Sequence, residues 1–285
     1  MGPDLSATQP VERKIAIAGG LALHAEQFLP AGAPRAALVL VHGFSAHCGN
    51  YRHVAQAFAD AGVASTLFDC RGHGRSPGRR GYVKRFTDFS DDLDAVLAAT
   101  RAAWPGVPVI LLGHSHGATI ALDYLLSGRG AVDALVLAAP YLALKLKVPA
   151  VKLHLSNLMG RVWPTLTLGN ELRPKDVSRN PEVWAGMEND PLIHHVATPR
   201  WFNEVRAAQA RIIHAAEKLK TPTLMLVAGR DRIVSSDVAL AFAQAAGPLV
   251  TVKQYGDLFH EMFLEPERDV LIADIVRWVA KRLPA

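Results

Sequence analysis

Short apolar runs rich in β-branched residues alternate with longer amphipathic stretches along most of the chain, the pattern of a parallel sheet covered by helices. VERKIAIA (11–18) and LALHAEQFLP (21–30) flank Gly19-Gly20 and predict a hairpin. Apolar runs then predict strands at 37–43, 64–70, 107–115, 134–140, 221–231 and 249–255. Between them, helices are expected near 50–61, 86–103, 116–127, 236–246 and 266–282. The alternation stops from 141 to 220. That segment shows no strand-like run bounded by turns, only Leu-rich amphipathic pieces broken at Pro149, Pro164, Pro174, Pro181, Pro191 and Pro199. The expected organisation is a sheet core built from 1–140 and 221–285, interrupted by one helical insertion, 141–220.

Composition narrows this picture only at its edges. Half of the 285 residues are hydrophobic and a fifth are charged, enough for one large core and too apolar for a disordered chain. No apolar run reaches the roughly 18 residues of a membrane span. Lys and Arg exceed Asp and Glu by 31 to 26, a net +5 that aids solubility without indicating a nucleic-acid partner. Cys48 and Cys70 are too few for a zinc cluster and need not pair. The N-terminal MGPDLSATQP lacks the basic and apolar regions of a secretion signal. Met1-Gly2 with Ser6 formally fits an acylation pattern, but Pro3 favours a frayed tail.

The strongest chemical signal is Gly113-His114-Ser115-His116-Gly117, at the junction of VILLGHS and HGATIALDYLL. A strand-to-helix turn this tight needs small residues on both sides, and it exposes the Ser115 hydroxyl as a nucleophile above the sheet's carboxyl edge. A serine needs a base, and the base an orienting acid. Asp231 ends the strand TLMLVAGRD, and His260 follows the last strand. Asp237 and Asp257 compete for the acid's role, but neither sits directly at a strand's carboxyl end. Among the other eleven histidines, His194, His195 and His214 fall in the insertion and suit surface or packing roles. An oxyanion needs backbone donors, for which Phe44 N–H, after His42-Gly43, and His116 N–H are placed. His114 and His116 flank the serine without a carboxylate or thiolate to complete a metal set, so no metal is expected. RGHGRSPGRRG (71–81) fails both phosphate-loop patterns, and its arginines, with Lys84 and Arg85, read as a solvated loop. His260-Glu261 lacks the second histidine of a zinc protease.

VHGFSAHCGNYRHVAQAFADAGVASTLFDCRGHGRSPG, DFSDDLDAVL, LLGHSHG, VSRNPEVWAGMENDPLIHH and YGDLFHEMFLE together resemble the monoacylglycerol lipase and lysophospholipase family of α/β-hydrolases, over about 11–282. The resemblance implies an α/β-hydrolase fold: a mostly parallel eight-stranded sheet flanked by helices, with 141–220 as a helical cap. It implies a Ser115–Asp231–His260 triad, oxyanion donors at Phe44 and His116, and no cofactor. Its expected substrates are small lipid esters, above all monoacylglycerols, with lysophospholipids or simple carboxylesters as the alternative. One departure stands out, since the family's elbow is often GHSMG and His116 here replaces the methionine. Dehalogenase and epoxide-hydrolase branches of the fold would need Asp in place of Ser115. A non-catalytic ligand-binding protein of this fold would typically lack a triad member, and none is missing here. In the insertion, Leu142, Leu144, Leu146, Val148, Val151, Leu155, Leu158 and Met159 alternate with Lys145, Lys147 and Lys152. Most are expected to pack on the core and some to line an acyl tunnel. The expected location is the cytoplasm, with peripheral membrane contact through the cap.

Overall fold

The computed structural model describes residues 9–283, so the acylation pattern at Met1, Gly2 and Ser6 lies outside the described residues. The predicted hairpin forms from β1 (Val11–Ile17) and β2 (Leu21–Phe28), with Gly19 and Gly20 turning the chain at φ 80° and 72°. Then come β3 (Ala36–Val41), α1 (Arg52–Asp60), β4 (Val63–Phe68), α2 (Thr87–Ala103), β5 (Val109–His114), α3 (His116–Leu126) and β6 (Ala134–Ala138). The insertion carries α4 (Ala150–Val162), β7 (Leu168–Gly169), α5 (Pro174–Val177), α6 (Pro181–Asn189), β8 (Val196–Ala197) and α7 (Pro199–His214). The chain closes with β9 (Thr223–Ala228), α8 (Ser236–Ala246), β10 (Val250–Tyr255) and α9 (Arg268–Ala280).

Eight strands form one sheet in the order β1-β2-β4-β3-β5-β6-β9-β10. All pairs are parallel except β1–β2 and β2–β4. The central strands β3 to β6 and β9 are buried along their whole length, which explains why they read as unbroken apolar runs rather than as alternation. Alternation still decides which layer each side chain joins. Val39, Val41, Leu111, Leu137 and Met225 pack with α2, α3, α7 and α8. Leu38, Leu40, Ile110, Leu112 and Leu226 pack with α1 and α9 on the opposite face.

Three details of the insertion depart from the sequence reading. First, β7 and β8 form a two-residue antiparallel ladder, too short to leave any periodicity in a segment expected to hold no strands. Second, the prolines mark helix starts as well as breaks: Pro174, Pro181 and Pro199 occupy the first helical turns, where a missing N–H leaves nothing unsatisfied. Third, the apolar stripe expected to pack mostly inward is turned outward. Leu142 is buried, but Leu146 and Val151 are 77% and 74% exposed, and Leu155, Leu158 and Trp163 are exposed too. α4 is apolar on more than one side and contacts α7 along one of them, and periodicity cannot tell which side that is.

Main-chain anchors fix both ends of the insertion to the core, and between them Val177 O accepts Glu261 N–H at 2.9 Å and Arg179 N–H donates to buried Glu265 at 2.9 Å. At its start, Lys145 N–H donates to Ile233 O and Ser235 N–H to Ala143 O. At the start of α7, both the N–H and the hydroxyl of Thr198 donate to Gly81 O. Beyond it, Trp201, Val205, Ala208 and Ile212 of α7 join the core layer itself.

The Arg-rich loop is also not the solvated excursion expected. Arg71 donates from Nε and Nη2 to both oxygens of buried Asp92 at 2.6 Å, and buried Asp69 accepts Arg75 N–H at 2.7 Å. Buried carboxylates supply fixed acceptors, and the loop folds down to meet them.

Candidate active site

Ser115 stands between β5 and α3 at φ 53° and ψ −114°, a strained conformation for a non-glycine residue. Both flanking glycines are sterically required. A Cβ on Gly113 would lie 2.6 Å from Ala118 Cα, and one on Gly117 would lie 2.1 Å from Val41 O. The elbow therefore presses directly against the end of β3. His116 opens α3, so its N–H has no acceptor within the helix and points the same way as the helix dipole.

The structure brings the three sequence-predicted side chains together. Ser115 Oγ is 2.8 Å from His260 Nε2, and His260 Nδ1 is 2.8 Å from Asp231 Oδ2. Asp231 follows β9, and its Oδ1 accepts Ile233 and Val234 N–H at 2.8 and 2.9 Å, which aims Oδ2 at the imidazole. The competing carboxylates are elsewhere: Asp237 sits in the first turn of α8, and exposed Asp257 pairs with Arg230. All three grouped residues are buried, with Ser115 and His260 each 6% exposed. Burial opposes charge on both partners of the acid–base pair. The adjacent opposite charge outweighs it, holding Asp231 below the usual carboxylate range and His260 above the usual imidazole range.

That direction fixes a pH dependence. A base at His260 works only when neutral, so kcat/KM should rise with pH along a limb whose midpoint lies above about 6.5, the free imidazole value. In Asp231→Asn the limb should move to lower pH. For stability the signs differ. The raised His260 pKa adds stability that is complete below the unfolded value and is lost as pH climbs through the folded one. The lowered Asp231 pKa adds stability present above its unfolded value and lost in acid. Rate profiles of both proteins, beside thermal melts, would check this; a limb that stays put in Asp231→Asn contradicts the pairing.

A supporting network escaped the sequence reading. His114 Nε2–H donates to His260 O at 3.0 Å, and its Nδ1 lies 2.9 Å from the Tyr51 hydroxyl. That hydroxyl also meets Glu261 Oε1 at 3.2 Å and accepts Gly43 N–H at 3.4 Å. One buried cluster thus ties the loop carrying His260 to the loop carrying Phe44. The available signal was the parity of the elbow: His114 ends a strand and His116 begins a helix, so their rings leave on different sides.

Phe44 itself is gripped by the insertion. Its ring stacks on Trp201 at 3.8 Å and meets the edge of His194 at 5.0 Å. Asn170 Nδ2–H donates to Ser45 Oγ at 2.9 Å, and His47 Nε2–H donates to Asp190 Oδ2 at 2.8 Å. His194 has the packing role expected of it, and His214 is exposed. His116 is enclosed by Phe44, Phe86, Phe89 and Trp201, with neither ring nitrogen hydrogen-bonded. Burial drives its pKa down to about 3, so the ring is neutral at physiological pH. An unpartnered buried polar group costs about 1–3 kcal/mol. His116→Met, whose sulfur suits an aromatic cage, is therefore expected to stabilise the fold by about 1 kcal/mol. A denaturant melt showing lower stability would contradict that.

Comparison with known proteins bears directly on this geometry. The profile of the serine aminopeptidase family S33 matches residues 32–267. The chain belongs to this family. Among its relatives, the monoacylglycerol lipase of Mycolicibacterium smegmatis is 31% identical over 274 residues, covering 95% of this chain and 98% of its own. The monoglyceride lipase of Rattus norvegicus is 32% identical, covering 93% and 89%. The crystal structure of Paleococcus ferrophilus monoacylglycerol lipase aligns with a TM-score of 0.83 at 28% identity, over 91% of this chain and 99% of that one. This S33 chain accordingly has the α/β-hydrolase fold that its strand order describes.

Proposed function

We propose that this protein hydrolyses carboxylic esters of acylglycerols, monoacylglycerols foremost, through an acyl-enzyme on Ser115. The observation that carries the reading is the 2.8 Å contact of Ser115 Oγ with a His260 imidazole that Asp231 orients. His260 Nε2 takes the hydroxyl proton as Oγ attacks the ester carbonyl, and the imidazolium is stabilised by Asp231. The Phe44 and His116 amides receive the oxyanion. His260 returns the proton to the leaving glycerol oxygen; water, deprotonated by the same imidazole, then releases the fatty acid. The chain needs no cofactor for these steps. Residues 141–220 act as the cap that encloses the acyl chain, with Trp201 over Phe44.

Fluorophosphonate labelling at Ser115, followed by a panel of monoacylglycerols, lysophosphatidylcholine, p-nitrophenyl esters and aminoacyl p-nitroanilides, tests the proposal. Preference for monoacylglycerol supports it. Preference for lysophosphatidylcholine selects the phospholipase alternative, and preference for the anilide selects the peptidase chemistry of the family's description. No labelling of the wild type removes the enzymatic reading.

The outward face of α4 and the segment leading into it favour contact with the substrate's own phase. Leu146, Val151, Leu155 and Leu158 are exposed beside exposed Lys145, Lys147 and Lys152, a composition suited to an anionic lipid surface. Among the described residues no helix is long and apolar enough to cross a membrane. Co-sedimentation with anionic vesicles that falls in Leu155→Asp and on neutral vesicles supports docking; equal sedimentation in all cases refutes it.

A further inference from the structure

Away from Ser115, the junction of β2 and β4 gathers three different metal-ligating side chains. A ring nitrogen of His24, the Cys48 sulfur and an Asp69 carboxylate oxygen all lie within 4.8 Å of one another, and all three residues are buried. They line a cavity of about 130 Å³, together with Glu26, His47, Arg52, Arg75 and Leu192. His24 is 6% exposed, and its Nε2 has no hydrogen-bond partner.

Backbone bonds hold these donors in place. Asp69 N–H donates to His24 O at 2.9 Å, and Asp69 Oδ1 accepts Cys48 N–H at 2.7 Å. Each Asp69 oxygen accepts one backbone N–H, and the Cys48 thiol donates to the same carboxylate, so the sulfur and the oxygen already face each other. The charged neighbours are already matched. Arg52 Nε–H donates to Glu26 at 2.7 Å, and Arg75 pairs with Glu12 at 3.0 Å. Glu26 Oε1 stands 3.5 Å from His24 Nε2, a further oxygen at the edge of the donor set.

We propose that His24, Cys48 and Asp69 form a binding site for a thiophilic divalent cation of the zinc type. Nitrogen, sulfur and oxygen donors in one set suit zinc, whereas calcium and magnesium take oxygen ligands. Tetrahedral bonds of about 2.0–2.3 Å put neighbouring donors roughly 3.3–3.8 Å apart, inside the 4.8 Å limit that encloses the three atoms here. The fourth position faces the cavity and takes a water molecule. Binding releases the Cys48 thiol proton to solvent, and the thiolate and carboxylate together balance the ion's two positive charges. The ion would clamp β2, the end of β4 and the loop that runs from Phe44 to Cys48.

Chelator-treated full-length protein titrated with Co²⁺ tests the site. The expected result is one equivalent bound, with a sulfur-to-cobalt charge-transfer band that Zn²⁺ displaces. The band should vanish in Cys48→Ser, weaken at least about tenfold in affinity in His24→Gln, and persist in Cys70→Ala. Circular dichroism checks folding; if Cys48→Ser does not fold, His24→Gln carries the comparison. No band in the wild type, or equal affinity in His24→Gln, overturns the proposal.

Discussion

Replacing His260 by Ala should lower ester turnover by about four to six orders of magnitude while leaving the protein folded. The chemical part follows from the 2.8 Å contacts on both sides of the imidazole: nothing else described touches Ser115 Oγ as a base. The structural part follows from the acid. Without His260, the buried Asp231 carboxylate keeps the Ile233 and Val234 N–H groups, so the lost contact does not strand a bare charge. Ser115→Ala should cost about as much, and the double variant little more, because residues acting in one step are not additive. Asp231→Asn should cost about 10⁴-fold, since an amide disfavours the needed tautomer. Single-turnover kinetics with a p-nitrophenyl ester would measure all four. A loss under tenfold in His260→Ala would place the base elsewhere.

Gly117→Ala sets two physical effects against each other. Within helices Ala is better than Gly by up to about 1 kcal/mol, so even for Gly117 in the first turn of α3 propensity alone forecasts a more stable protein. The new Cβ, however, would meet Val41 O at 2.1 Å and His42 O at 2.7 Å, both backbone atoms that cannot turn away. Overpacking of this kind costs about 1–3 kcal/mol, occasionally more. The elbow and β3 would have to separate, and that shift would also displace the Phe44 amide. A net destabilisation of about 2 kcal/mol or more is expected, with turnover falling alongside. Gly186→Ala is the control. It lies in α6 with nothing within 4 Å of its Cβ position, so propensity should prevail and stability should rise. Urea denaturation of the three proteins decides the matter; a stabilised Gly117→Ala would show that α3 is not pinned to β3 as described.

The fold was legible because its strands are buried on both faces and its helices begin and end at recognisable residues. Ser115, Asp231 and His260 could be read because each ends or follows a strand at one sheet edge, so local pattern and topology agree. What stayed hidden depends on contacts between distant parts of the chain. Tyr51, His114 and Glu261 meet across separations of 63 and 210 residues, and no local pattern marks them as partners. The loop at 71–81 looked solvated because its arginines are visible in sequence, whereas the buried Asp92 that receives Arg71 lies 21 residues away in α2. α4 was turned the wrong way for the same reason: a helix apolar on several sides does not declare which side finds a neighbour.

The stitching of Ala143 and Lys145 to the segment after Asp231, and of Thr198 to Gly81, has a mechanical corollary. The span between those points is a strap tied at both ends and again at Asn170, at Val177–Arg179 and at Asp190, so it cannot swing aside as one body. Cutting that strap once, by an engineered protease site near Thr165, would release the C-terminal end of α4 while the part from Asn170 onward stays tied to the core. Small soluble esters should then turn over faster, while long acyl chains, deprived of a continuous roof, should be held less well.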